Sequence, residues 1–291
     1  MEYDSINRAE LPGEDAQQVR QAAIERTIIK KFRKQLWCRF TRAVTDYELI
    51  SEGDRIAVCI SGGKDSMLAA KLMQEIQRHG KVDFELVFLC MDPGYNEKNR
   101  KLIEENARTL GIDLTIFQTE IFDSVFSIEK NPCYLCARMR RGYLYNHARQ
   151  LGCNKIALGH HYDDVIETIL MGILFAGKTE TMMPKLHSQN FEGMQLIRPM
   201  YLIREEDIKT WARYNGLHFL RCACRFTEQN SDEDGEGTSK RLYVKKLIAK
   251  LCETDPVIAA NIFNCVRDIN LRTVLGYHRD GEYYNFLEDY R

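Results

Sequence analysis

Arg55-Ile-Ala-Val-Cys-Ile-Ser-Gly-Gly-Lys-Asp-Ser66 decides the fold. Arg55 to Ile60 is a short apolar, β-branched run that reads as a buried strand. Ser61, Gly62 and Gly63 turn the chain tightly, and Met67 to Gln77 follows as a helix with Leu68, Leu72 and Ile76 on one face. A strand, a glycine turn and a helix N-terminus make an anion cradle, because unpaired N–H groups and the helix dipole aim at one spot. Lys64 adds a full positive charge, so the stretch reads as a phosphate site built from Ser61, Gly62, Gly63, Lys64, Asp65 and Ser66. It is not the Walker loop, which has four residues between its first glycine and the Gly-Lys pair. A carboxylate at Asp65 would repel phosphate unless neutralised, which calls for Mg2+, a hard cation that takes carboxylate and phosphate oxygens together. The plainer alternative is a Gly-Gly turn capped by Ser61; six consecutive residues of these types between strand and helix weigh against it.

Working outward, Phe84–Met91, Asp113–Phe117, Lys155–Gly159 and Gln195–Pro199 read as further strands, with helices between them. Alternation of this kind predicts an α/β, Rossmann-like parallel sheet of five strands with helices on both faces and right-handed crossovers. Ligands of such sheets sit beyond the C-terminal ends of the strands. Asp92 and Gly159-His160-His161-Tyr-Asp163-Asp164 therefore fall on the same rim as Ser61. Asp92 is read either as a nucleotide or metal contact or as a turn cap, and one of Asp163 and Asp164 as a helix cap.

The totals bound the rest. The chain has 291 residues, 44% of them hydrophobic, and a formal net charge of −1, so any nucleic-acid surface is local. One local candidate is a helical stretch from Gln17 to Ile50. It carries Arg20, Arg26, Lys30, Lys31, Arg33, Lys34, Arg39 and Arg42 against one acid, Glu25, before Asp46, with Trp37 and Phe40 interleaved. A solvated face is the ordinary reading of such a run, and contact with RNA phosphates the alternative. No apolar run reaches membrane-spanning length and the polar N-terminus has no signal-peptide core, so the expected location is cytoplasmic. The chain is expected to divide into a basic helical extension (1–50), a nucleotide domain with the functional cysteines (51–227), and an acidic mobile loop with a helical tail (228–291).

Ten cysteines in a cytoplasmic chain argue for metal, cluster or redox chemistry where they gather. In Pro132-Cys133-Tyr-Leu-Cys136-Ala-Arg138-Met-Arg140-Arg141, the proline suits a first helical turn and the three-residue spacing puts both sulfurs on one face. The dipole and the arginines favour thiolates. Two cysteines do not complete a four-sulfur site; Cys222 and Cys224 are available later. Cys38, Cys59, Cys90, Cys153, Cys252 and Cys265 read as structural.

Ser61-Gly-Gly-Lys-Asp-Ser66, Cys133-x-x-Cys136 and Gly159-His-His-Tyr-Asp-Asp164 together resemble the PP-loop ATP pyrophosphatases. Within that group the chain is similar to the tRNA 2-thiocytidine synthetase family, over nearly its whole length. The resemblance implies an adenine nucleotide α-hydrolase-like fold and an ATP-dependent tRNA sulfurtransferase. ATP would bind at the cradle, with Asp92, Gly159 and His160 on its rim. A 4Fe-4S cluster would be held by Cys133, Cys136 and one of Cys222 or Cys224, with Cys222 favoured. The family's second Cys-x-x-Cys is here Cys222-Ala-Cys224. On this reading a pyrimidine C2 oxygen in the anticodon loop, of cytidine rather than uridine, is adenylated and then displaced by sulfur. Lys64 steadies the pyrophosphate, Asp163 or Asp164 holds magnesium or relays a proton, and Arg140 steadies the activated base. The sulfur donor is a cysteine desulfurase or free sulfide, and a homodimer is allowed. Two other readings keep the motifs: a lysidine-synthetase-like ligase with a structural zinc on four cysteines, and a non-catalytic sensor of ATP or redox state.

Overall fold

The computed structural model describes residues 13–119, 132–220 and 240–290. The central sheet is β1 (Arg55–Ile60), β2 (Glu85–Asp92), β3 (Leu114–Gln118), β4 (Lys155–Ala157), β5 (Lys185–His187) and β6 (Gln195–Ile197). Their order is β3-β2-β1-β4-β6-β5. All the expected strands are present and parallel. The sheet has six strands rather than five because β5 adds an antiparallel edge to β6. β1 and β4 are buried almost throughout, as strands covered on both faces must be.

The helices between strands are α3 (Lys64–His79), α4 (Glu97–Leu110), α5 (Pro132–Gln150), α6 (Tyr162–Ala176) and α7 (Glu205–Tyr214). Gly111 closes α4 in the left-handed conformation, φ 62°, which places the turn into β3. Before the sheet, α1 (Gly13–Arg26) and α2 (Cys38–Asp46) flank a stretch, Thr27–Trp37, wound as π-helix. This N-terminal arm belongs to the main core, where Ile24, Ile28, Phe32, Leu36 and Phe40 join Leu68, Leu72 and Trp211. One of its acids, Glu25, accepts from the fully buried Lys71 at 2.6 Å, and Arg78 stands 3.0 Å from the same carboxylate. Burial pulls the Lys71 pKa down, with Glu25 acting against it. Lys71→Ala is expected to cost about 3 kcal/mol in urea unfolding, the low end for a broken buried pair because Arg78 still faces Glu25. A cost under about 1 kcal/mol would mean that the pair is solvated in practice.

The chain divides into two compact units, the described residues of Met1–Asp163 with Met183–Gly235, and of Asp164–Met182 with Glu236–Arg291. The second contains α8 (Lys240–Thr254), α9 (Ile258–Arg267), a β7–β8 hairpin (Gly276–Arg279, Glu282–Asn285) and α10 (Phe286–Tyr290). Among the described residues no helix is long and apolar enough to cross a membrane. The acidic loop expected at Glu228–Gly237 lies outside the described residues.

Candidate active site

β1 ends at Ile60 and α3 begins at Lys64, so three residues make the whole turn. Gly62 takes φ +81°, and a Cβ there would lie 2.6 Å from the Ile103 side chain; only glycine serves. The Ser66 hydroxyl accepts from the Ser61 N–H (3.1 Å) and donates to the Gly63 carbonyl (3.0 Å), which ties the turn to the helix. The first-turn N–H groups of α3 have no intrahelical acceptors, and no side chain caps the helix. An anion is the partner this geometry fits.

Gly159 brings the chain leaving β4 against the cradle: a Cβ would lie 2.9 Å from the Ser66 nitrogen and 3.0 Å from the Asp65 carbonyl carbon. Lys64 Nζ lies between Asp65 Oδ2 (3.0 Å) and Glu205 Oε1 (3.1 Å). Burial works to strip its proton, but the two carboxylates outweigh that and raise its pKa. The other oxygen of Asp65, Oδ1, is buried without a hydrogen-bond partner. His161 Nε2 stands 3.8 Å from it, and His161 Nδ1 stands 3.9 Å from Asp163 Oδ2. An orphaned carboxylate oxygen beside an anion cradle is the donor chemistry of Mg2+, which takes one or two carboxylates plus substrate phosphates. Among the described residues no three acids, histidines or cysteines gather into an all-protein metal cage.

The remaining expected residues are placed as follows. Asp163 stands in the first turn of α6 and accepts from the Glu205 N–H (2.7 Å) and from Arg204 (3.2 Å), so it caps α7 from outside. Asp164 belongs to the second unit, where Arg241 donates to it at 3.0 Å. Asp92 is buried and occupied by its own turn, accepting from the N–H groups of Gly94 (2.9 Å) and Tyr95 (2.7 Å) and facing Arg100 at 3.3 Å. His160 is half-buried beside Gly159, while its neighbour His161 is the buried one that lies between the carboxylates. Glu205 and His161 were not among the residues expected to act; the His-His pair was a sequence signal for the second, and nothing local marks the first.

Cys133 and Cys136 occupy the first turns of α5; their side chains, and all of Cys222 and Cys224, lie outside the described residues. The helix itself is informative. Its next turn seats Met139 against Met91. Arg140 bears on Tyr95, whose hydroxyl burial pushes up to about 12 while the Arg140 charge works against it. Met91 and Asp92 follow Cys90, which pairs with Ile60, so the N-terminal end of α5 is on the same rim as the cradle. From the other direction, the Leu220 N–H donates to the Gly62 carbonyl at 3.3 Å. Cys59 and Cys90 are buried, their thiols pushed up to about 12 by burial first of all. They are inert core residues.

A PP-loop domain family matches residues 30–227. The tRNA-cytidine(32) 2-sulfurtransferase of Syntrophotalea carbinolica is 35% identical over 237 residues, 80% of this chain and 88% of that protein. That of Anaeromyxobacter dehalogenans is 33% identical over 241 residues, 82% and 80% of the two chains. Among solved structures, the U34-tRNA thiolase NcsA from Methanococcus maripaludis with its [4Fe-4S] cluster superposes with a TM-score of 0.60 at 19% identity. That match covers 84% of this chain and 81% of the other, and the likeness is one of fold.

Proposed function

Because the chain belongs to the PP-loop family, and within it to the tRNA-cytidine 2-sulfurtransferases, we propose that it thiolates C2 of cytidine 32 in tRNA at the expense of ATP. The cytidine C2 oxygen attacks the α-phosphorus of ATP, forming a C–O–P link as the α–β bridging P–O bond breaks and pyrophosphate leaves. Sulfur at the sulfide level, as hydrosulfide, then forms the bond to C2 and loses its proton, while the C2–O bond breaks and the oxygen departs with AMP. The activation is needed because a ring carbonyl oxygen is a poor leaving group.

In this reading the first-turn N–H groups of α3 and the Lys64 ammonium hold the β- and γ-phosphates and meet the charge that grows on pyrophosphate. Gly159 and His160 line the approach. Asp65 Oδ1 is the oxygen suited to magnesium, which neutralises the phosphates when bound. His161 stands between two carboxylates, 3.8 Å from Asp65 and 3.9 Å from Asp163. Asp163 acts through α7 by fixing Glu205 and so Lys64, and Arg140 is suited to steady the activated base. Asp164, held by Arg241 in the second unit, is retained as a candidate for proton transfer. Asp92 is assigned to shaping the rim.

Cys133, Cys136 and Cys222 or Cys224 would hold a 4Fe-4S cluster, whose soft-thiolate donor set is the one such clusters take. When bound it supplies the sulfur nucleophile. The observation that carries this reading is the position of α5: its cysteine turns precede the turn seated on the end of β2, on the rim that holds Lys64. A cysteine desulfurase or sulfide as donor, a homodimer, a cytoplasmic site of action and the three-part division at residues 50 and 227 belong to the same proposal. The test is mass spectrometry of tRNA nucleosides from a strain lacking the protein, with protein purified anaerobically for iron and sulfide. Loss of 2-thiocytidine and a brown protein are expected. Unchanged nucleosides, or a colourless protein with one zinc, would sink it.

A further inference from the structure

The N-terminal arm has a periodicity of its own. Ile24, Ile28, Phe32, Leu36 and Phe40, every fourth residue, are all buried. An α-helix turns about 400° in four residues, so such a stripe drifts by roughly 40° a step and leaves the core within a few turns. The arm avoids this by π winding over Thr27–Lys31 and Arg33–Trp37, with the Phe32 N–H reaching back to Thr27 at 2.8 Å. Wider turns keep every fourth residue pointing inward. The positions two along are then held half a turn away: Arg26, Lys30, Lys34, Cys38 and Arg42, all exposed. The device that holds the apolar row straight straightens a basic row on the other side, with neighbours roughly 5–6 Å apart.

Among the described residues the row has little acid beside it. No acid occurs from Arg26 to Thr45, and Glu25 is turned inward on Lys71 and Arg78. Among the described residues, Arg42 alone in the row meets an acid, Asp46, at 3.1 Å. Two other cations fix the arm to α7: Lys31 lies 4.0 Å from the Tyr214 ring, and Arg39 lies 2.8 Å from Asp207. Tyr214 ends α7 and Asp207 is in its first turn, so the arm climbs α7 towards Glu205, which grips Lys64. The row follows the arm in that direction.

We infer that Arg26, Lys30 and Lys34 form a track for the tRNA phosphate backbone that delivers the target base to the cradle. This rests on the tRNA reading above and goes further by naming the surface. A row of like charges on a chain of net charge −1 suits a polyanion with regularly spaced charges, and releases its counterions on contact.

The test uses the full chain and an unmodified tRNA transcript, with affinity read by fluorescence anisotropy from about 50 to 200 mM salt. In Arg26→Gln/Lys30→Gln/Lys34→Gln the slope of log affinity against log salt is expected to fall by about 2–3, with at least about tenfold weaker binding at the low-salt end. Lys246→Gln/Lys250→Gln/Arg267→Gln removes equal charge from exposed positions of α8 and α9, and should leave the slope unchanged. An unaltered slope in the first variant, or an equal loss in the second, overturns the track. Should the triple variant unfold early, Lys30→Gln and Lys34→Gln singly must each lower the slope by about one. Wild-type protein that binds no tRNA would overturn the functional reading as well; wild-type binding with an indifferent variant overturns only the track.

Discussion

Lys64→Met is expected to lower AMP formation in a single turnover with tRNA by about 10²–10³-fold, the usual effect of removing one preorganised group that meets developing charge. The structure gives a reason for the upper part of that range. The ammonium stands between Asp65 and Glu205, so its loss removes the cation shared by two carboxylates near the phosphates, with Lys209 still 3.0 Å from the other oxygen of Glu205. Binding of ATP should weaken along with turnover, and extra magnesium should restore binding only in part, because a metal ion at Asp65 does not replace the ammonium's own contact with phosphate. Glu205→Gln should act in the milder direction: it frees the ammonium, relaxes its position, and raises KM more than it lowers turnover. Pyrophosphate release within threefold of wild type in Lys64→Met would remove the cradle from the chemistry.

Gly159→Ala is expected to cost about 100-fold in turnover, with a KM for ATP raised at least tenfold. The added methyl would lie 2.9 Å from the Ser66 nitrogen and 3.0 Å from the Ser66 Cα. These are backbone atoms, so no flexible side chain can swing away. Either the chain leaving β4 or the start of α3 must shift, and a displacement near 1 Å in a positioning group is worth about that factor. The overpacking should cost about 1–3 kcal/mol in denaturant unfolding as well. Gly142→Ala is the matched control: it lies within α5 with nothing within 4 Å of a new Cβ, so it should be neutral or gain up to about 1 kcal/mol. Equal behaviour of the two variants would show that Gly159 is not there for close approach.

The parts of this architecture legible in the sequence are those fixed by local rules. β1, the glycine turn and α3 are consecutive, and their residue types dictate their conformations without help from elsewhere. The strand pattern likewise announced five parallel strands, whereas β5 did not: Lys185-Leu-His187 has one apolar residue, and only pairing with β6 makes it a strand. One of the acids after Gly159 reads as a helix cap, and Asp163 is one, yet it stands inside α6, which starts at Tyr162, and caps a different helix, α7. Glu205 approaches Lys64 from 141 positions away, a meeting no local pattern encodes. The fourfold spacing of the N-terminal arm was present in the sequence, but an α-helical ruler does not detect it.

The bond from the Leu220 N–H to the Gly62 carbonyl has a bearing on biosynthesis. On the proposed ligand set, the last thiolate enters on a segment attached to a turn made about 160 residues earlier. A chain emerging from the ribosome therefore offers iron two sulfurs at first, and the third arrives only once α7 has docked. Cluster loading is then a late event in maturation, reserved for chains whose nucleotide pocket has already formed.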